Sequence, residues 1–228
     1  MTGIDSGFSG VNVGLPAVSV ALRRGRPRRA WHHSGVSTAP SVGRPRSGAR
    51  RLPAATAREE ILDAAAELFA QRGYAATSTR LIAERVGIRQ ASLYYHFDTK
   101  EQILAELLEA TVRPSLEHAA SLGELSPPDA LRSLVRFDVG VLLSARWNIG
   151  ILYALPEIAA EPFARFRRER DELRAAYRRL TGADVTGDLV FGLVESVIGM
   201  RRDLPGLPPA EVLRDTVAAA ALRIVAPI

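Results

Sequence analysis

Between Ser78 and Gln102 the chain reads STRLIAERVGIRQASLYYHFDTKEQ, a stretch dense in side chains that can hydrogen-bond to a DNA duplex. If Leu93 and Phe97, four residues apart, share the buried face of one helix, then Arg89, Gln90, Ser92, Tyr95 and His96 face outward. Most of these can bond to base edges or phosphates. A preceding helix would turn Leu81, Ile82 and Val86 inward, with Ala83 small enough for a close crossing. Gly87 is then free to take positive φ at the turn. Two short helices joined this way make a helix-turn-helix, here over residues 78–97.

Other elements must brace that unit. Thr56-x-x-Glu59 is a capping box before an apolar periodic run, with Ile61, Ala65, Leu68 and Phe69 as its inner face and Gly73 as its C-terminal cap. Ser78 or Thr79 opens the support helix. Asp98-x-x-Glu101 reads as the cap of a fourth helix with Ile103, Leu104, Leu107, Leu108 and Thr111 inward, and Pro114 is expected to bend or end it. After a loop at residues 123–126, Pro127-Pro128-Asp129 starts an apolar helix to about Leu143, followed by a shorter segment from Trp147 to Leu155. Pro162 opens a charged helix with Phe163, Phe166, Leu173, Tyr177 and Leu180 as a sparse apolar face, and Gly182 ends it. Its charges read as a solvated surface.

The last two helices are apolar nearly all round. Leu189, Leu193 and Val197 form one stripe, Val190, Val194 and Ile198 another, and Leu213 and Val217 mark the alanine-rich final helix. Burial on every side implies either a wholly intramolecular core or a partner surface supplied by a second copy of the chain.

Charge is unevenly distributed. The formal net charge is +5 over 228 residues, yet residues 1–55 hold nine arginines and one Asp, hence +8, leaving 21 basic and 24 acidic residues, hence −3, in the rest. Bulk attraction to DNA would come from this arm. Within it, residues 23–29, RRGRPRR, resemble an AT-hook, a Gly-Arg-Pro core suited to a narrow minor groove; the alternative is a solvated basic tail. Rich in Gly, Ser, Pro and Arg and without periodicity, residues 1–53 are expected to be disordered. There is no cysteine, so disulfides and thiolate metal sites are excluded. No apolar run is long enough to span a membrane, which fits a cytoplasmic location. With no cysteine nucleophile, no phosphate-cradling glycine loop and one histidine, His118, beyond the reading unit, an enzyme is not expected, nor a cofactor or metal.

Residues 58–104 resemble the DNA-binding domain of TetR-type regulators. The likeness rests on Ala64/Ala65, Leu68-Phe69, Gly73-Tyr74, Thr77, Ile82-Ala83, Gly87, Leu93-Tyr94, His96-Phe97 and Lys100-Glu101. It departs at Arg89, where many members carry a small polar residue that caps the recognition helix. Arg89 is expected instead to meet a phosphate or a guanine. By resemblance, Tyr94, His96 and Lys100 look like backbone contacts, Thr79 and Arg80 reach the backbone or a neighbouring base, and Gln90, Ala91, Ser92 and Tyr95 look like base readers.

The resemblance also implies the architecture: all-α, with a disordered arm (1–53), a helix-turn-helix domain (54–114) and a larger helical ligand-binding and dimerisation domain (115–228). The last two helices would pair with those of a second subunit, giving a homodimer on a palindromic double-stranded DNA operator. A small apolar effector with one or two polar groups would occupy a pocket, for which Phe137, Trp147, Asn148, Tyr153, Phe166, Tyr177, Phe191 and Glu195 are candidates. The reading is then a ligand-responsive repressor. An activator of the same fold, or an architectural protein coating A·T-rich DNA through its arginine arm, are the rivals.

Overall fold

A computed structural model describes residues 56–226. The arm and its AT-hook-like motif lie outside the described residues, and so do residues 227–228. The order is α1 (Ala57–Arg72), α2 (Thr79–Val86), α3 (Gln90–Tyr94), α4 (Lys100–Ala120) and α5 (Pro127–Ser144). Three short 3-10 turns then cover Ile149–Ala154, Pro156–Ala159 and Glu161–Phe163, before α6 (Ala164–Thr181), α7 (Asp184–Asp203) and α8 (Ala210–Val225). There is no strand among the described residues.

Local chemistry sets most helix ends. Thr56 forms the reciprocal capping box with Glu59, Ser78 accepts from the Leu81 amide, and Ser126 accepts from the Asp129 amide. Gly87 and Gly182 end α2 and α6 in the left-handed conformation, at φ 82° and 70°. The start of α4 differs from the sequence expectation by one residue. Thr99, not Asp98, is the N-cap and accepts from the Gln102 amide, while Asp98 takes a bond from the Gln102 side chain. Glu101 is thereby released to accept from the Tyr74 hydroxyl at 3.0 Å. Pro114 does not end α4, which runs on to Ala120.

The three-helix head closes on Ile61, Phe69, Ile82, Leu93 and Phe97, all at most 2% exposed. Ile103, Leu104 and Leu108 of α4 continue that core toward the larger body. The head is also tied to the segment after α5, because the Trp147 indole N–H donates to Asp63 of α1 at 3.0 Å and Arg146 pairs with the same carboxylate.

The charged face of α6 is not simply solvated. Arg170 makes a two-pronged pair with Glu195 at 2.7 Å, and Arg174 and Arg178 both grip Asp188, so three arginines sew α6 to α7. The two guanidiniums beside Asp188 hold its carboxyl well below the usual range. Arg113 of α4 reaches Glu169 on the opposite side. These pairs are part-buried, with side chains 13–40% exposed, so solvent still screens them and their effect is orientation more than stability.

The stripes expected at a partner surface are mostly spent within one chain. Val190, Val194, Val197, Leu213 and Val217 are at most 5% exposed, because α7 packs on α5 and α6 and α8 packs on α5. Side chains already covered by their own chain cannot present area to a second one. Ile198 is partly covered too, its tip filling the space where Gly150 lacks a side chain. What stays outside is Val185, Leu189, Gly192 and half-buried Leu193 on α7, and Val212 and Ile224 on α8.

At Gly187 the backbones of α6 and α7 touch: a Cβ there would lie 2.5 Å from the Arg178 Cα. Gly187→Ala should therefore destabilise the fold by roughly 1–3 kcal/mol, the overpacking cost exceeding the gain of about 1 kcal/mol in helix propensity. Urea unfolding checks it; equal or greater stability would show that the two helices can slide apart.

Candidate nucleic-acid interface

The candidate reading residues sit on α3 and its flanks, and the head's core decides which way they point. Leu93 and Phe97 are inward, which leaves Arg89, Gln90, Ala91 and Ser92 exposed, with Tyr94 at 45% and Tyr95 at 87% exposure. His96 is half-buried with its ring edge-on to Tyr95 at 5.4 Å. At 87% exposure the Tyr95 ring buries little area within the chain, its edge-on contact with His96 aside.

Three of the candidates form one network. The Gln90 amide donates to the Thr79 hydroxyl at 3.0 Å and to the Tyr94 hydroxyl at 3.3 Å, and those two hydroxyls are 3.1 Å apart. Thr79 starts α2 and Tyr94 ends α3, so the glutamine is braced from both helices. Sequence reading named all three as candidate DNA contacts, Thr79 and Tyr94 by resemblance, but did not find their mutual contact.

The cations are placed differently. Arg80 pairs with Glu84 at 2.9 Å on the outer face of α2. Arg89 is the N-cap of α3 and its side chain makes no capping bond. Lys100, the one lysine of the chain, donates to the carbonyls of Tyr74 and Thr77, both at 3.0 Å, with its ammonium 4.0 Å from the Tyr74 ring. It therefore fastens the α1–α2 turn to the start of α4, a structural duty that the sequence did not signal.

Behind the head, α4, α5, α6 and α7 surround a cavity of about 10 Å3, the room of about one water molecule. Of the ligand candidates, Tyr153, Phe191 and Glu195 line it. Phe166 packs behind Tyr153 at 5.3 Å and Tyr177 beside Phe191 at 5.6 Å. The other three are elsewhere. Phe137 is 38% exposed and stacks on His118 at 4.1 Å, Trp147 is committed to Asp63, and Asn148 donates to the Ile198 carbonyl at 2.9 Å.

The residue that sequence reading missed is Asp138. It occupies the inner stripe of α5 with Leu131, Leu134, Val135 and Leu142, and one carboxylate in such a stripe was the available signal. Its oxygens accept from Ser115 Oγ and the Tyr177 hydroxyl, both at 2.9 Å. Burial pushes its carboxyl up to about 6, opposed by those two bonds and aided by the Glu195 charge.

An exposed row on a short second helix, braced by a support helix and carried on a larger helical body, defines a helix-turn-helix DNA-binding protein. The family model described as "Bacterial regulatory proteins, tetR family" matches residues 61–107. The crystal structure of Mycobacterium smegmatis AmtR superposes with a TM-score of 0.73 at 49% identity, covering 78% of this chain and 89% of that one. The chain belongs to the TetR family of bacterial regulatory proteins. The transcriptional repressor KstR2 of Rhodococcus jostii is 55% identical over 51 residues, 22% of this chain and 25% of that protein. The match thus spans about a quarter of that curated relative. The ketosteroid regulator KstR2 of Mycobacterium tuberculosis shares the fold at a TM-score of 0.62 and 23% identity, covering 75% of this chain and 95% of that one.

Asp138 allows a test of the buried cluster. Its folded carboxyl holds the proton more tightly than the unfolded value of 3.8, so stability falls as pH rises from about 4 to about 6 and stays lower above that. Between pH 4.5 and 7 the stability difference between Asp138→Asn and wild type should move by about 2 kcal/mol in the variant's favour. Parallel urea curves at the two pH values measure it; a constant difference would mean the carboxylate is not burdened by burial.

Proposed function

We propose that the chain is a transcriptional repressor that binds a palindromic operator as a homodimer and is released by a small effector, acting in the cytoplasm where its DNA lies. The observation that carries this is the braced, outward row of Gln90, Ala91, Ser92 and Tyr95, which offers amide, hydroxyl and apolar groups to a major groove. Thr79, Tyr94 and His96 position the row or meet the backbone, and Arg80 and Arg89 supply cations at its edges. Lys100 has two donors engaged and one left for a phosphate. Repressors among the similar proteins, KstR2 of Rhodococcus jostii for one, support the sign of regulation.

Dimerisation is supported by the apolar residues left uncovered. Leu189 is 59% exposed, Val185 74% and Val212 52%, and on α7 Val185, Leu189 and Gly192 recur at helical spacing. A twofold pairing of this face would bury them and place two reading heads on successive turns of one side of the duplex. No helix among the described residues is long and apolar enough to cross a membrane, which leaves these residues without a lipid role as a transmembrane span.

Gln90→Ala is expected to cost roughly 1–3 kcal/mol at one base pair of the operator and little on random sequence. Binding to a panel of single-base operator variants reads it out. An equal loss on every sequence removes Gln90 from the reading row.

Leu189→Arg should shift the protein to monomers in sedimentation and weaken operator binding at least about tenfold, since each half-site then binds alone. A dimer that survives the substitution moves the interface off this face.

A further inference from the structure

The small cavity behind the head has a chemical character that the aromatic residues alone did not suggest. Its charged walls are Asp138, Glu195 and Arg170, two carboxylates and one guanidinium, so one negative charge is in excess. Asp138 is 4% exposed, and both bonds described for it come from hydroxyls rather than from a cation. A buried carboxylate without a cation carries a desolvation cost that hydroxyl donors only partly offset. Arg170 meanwhile shows what these walls hold. Its guanidinium lies 5.6 Å from the Tyr153 ring and 5.1 Å from the Phe191 ring, with Glu195 closing the third side. Aromatic faces and a carboxylate are the surroundings that receive a desolvated cation. The remaining walls include Val112, Leu142 and Leu173, suited to an apolar body.

We propose that this cavity is the effector site and that the effector is an organic cation, an ammonium or amidinium group on an apolar body, seated on Asp138 between the Tyr153 and Phe191 rings. The inference rests on the effector-released reading above and names the ligand class for it. With a volume of about 10 Å3 the site is closed, so a ligand must move its walls. Arg170, with its side chain 29% exposed, is a wall that reaches solvent. Displacing it from Glu195 would loosen α6 from α7 and release the second carboxylate to the ligand. The Ser115–Asp138 bond then carries the change into α4, whose other end holds the head through Lys100. An anion would face the excess negative charge, and a neutral ligand would leave it uncompensated.

Three probes of one carbon skeleton separate these cases: n-hexylammonium, hexan-1-ol and hexanoate, added to the full chain at matched ionic strength. Hexylammonium should raise the melting temperature by about 3 °C at saturation, while the alcohol and the carboxylate leave it within about 1 °C. Asp138→Asn should abolish the rise, and Glu195→Gln, a second route to the same loss of negative charge, should reduce it at least by half. No rise with hexylammonium, an equal rise with either other probe, or an undiminished rise in both variants overturns the proposed site. Operator affinity is measured separately, with and without hexylammonium. A charge-selective, Asp138-dependent rise with operator affinity unmoved keeps the cation site and overturns its role as effector site. Absence of operator binding without any probe is a failure of the regulator reading, seen independently of the melting data.

Discussion

The molecule depends on α4 remaining one helix. Its first residue, Lys100, ties down the turn between α1 and α2, and its buried stripe of Ile103, Leu104 and Leu108 belongs to the head's core. About 22 Å further along the axis, fifteen residues at 1.5 Å each, Ser115 is wholly buried and bonded to Asp138. Pro114 interrupts this span, removing one backbone donor and costing about 3 kcal/mol in an unsupported helix. The helix nevertheless continues through it, held on both sides. Arg113 is fixed to Glu109 and Glu169, and Val112 and Ser115 are buried against the body. The one proline of α4 thus lies between two anchored stretches of the same helix.

Much of the head was legible because it is built from local rules. Thr56, Ser78 and Gly87 each act on a backbone group within a few residues, so their chemistry needs no tertiary information. The one-residue error at the start of α4 shows the limit of such rules. Asp98-x-x-Glu101 and Thr99-x-x-Gln102 are overlapping capping patterns, and only the demand of the Tyr74 hydroxyl on Glu101, 27 residues apart, distinguishes them. The charged run of α6 was read only in part for the same reason: Arg168, Asp171, Glu172 and Arg179 are exposed as expected, but the partners Asp188 and Glu195 lie on the next helix and Glu169 answers to Arg113 on α4.

Legibility of the sites followed how far apart their members lie. The direction of Gln90, Tyr95 and Arg89 follows from Leu93 and Phe97 being inward, a matter of helical period. That Thr79 converges on Gln90 requires the crossing of α2 and α3, which no periodicity contains, whereas the Gln90–Tyr94 contact is an i,i+4 pair within α3. In the body the aromatic candidates were chosen by type, and type does not tell a wall from filler. Tyr153 and Phe191 flank a cation, Trp147 latches the head, and Phe137 lies outside against His118. The dimer stripes erred through an assumption about where burial comes from. An apolar helix can be covered by its own chain on two sides, and only the third, with Leu189, is left over.

Electrostatics separates two tasks that a DNA-binding protein could have combined. The head carries six basic and seven acidic residues between Thr56 and Glu101, while residues 1–55 hold a net +8. Three of the head's cations are engaged internally, Arg58 with Glu106, Arg85 with Glu67 and Lys100 with two carbonyls, while Arg80, paired with Glu84, stays 77% exposed. A head of this kind gains little from counterion release, so its preference among duplexes must come from oriented hydrogen bonds and shape rather than from bulk attraction. That in turn explains the investment in rigidity around Gln90. A side chain whose contribution is directional loses it when it swings, and two hydroxyls, one from each helix, hold the Gln90 amide in place.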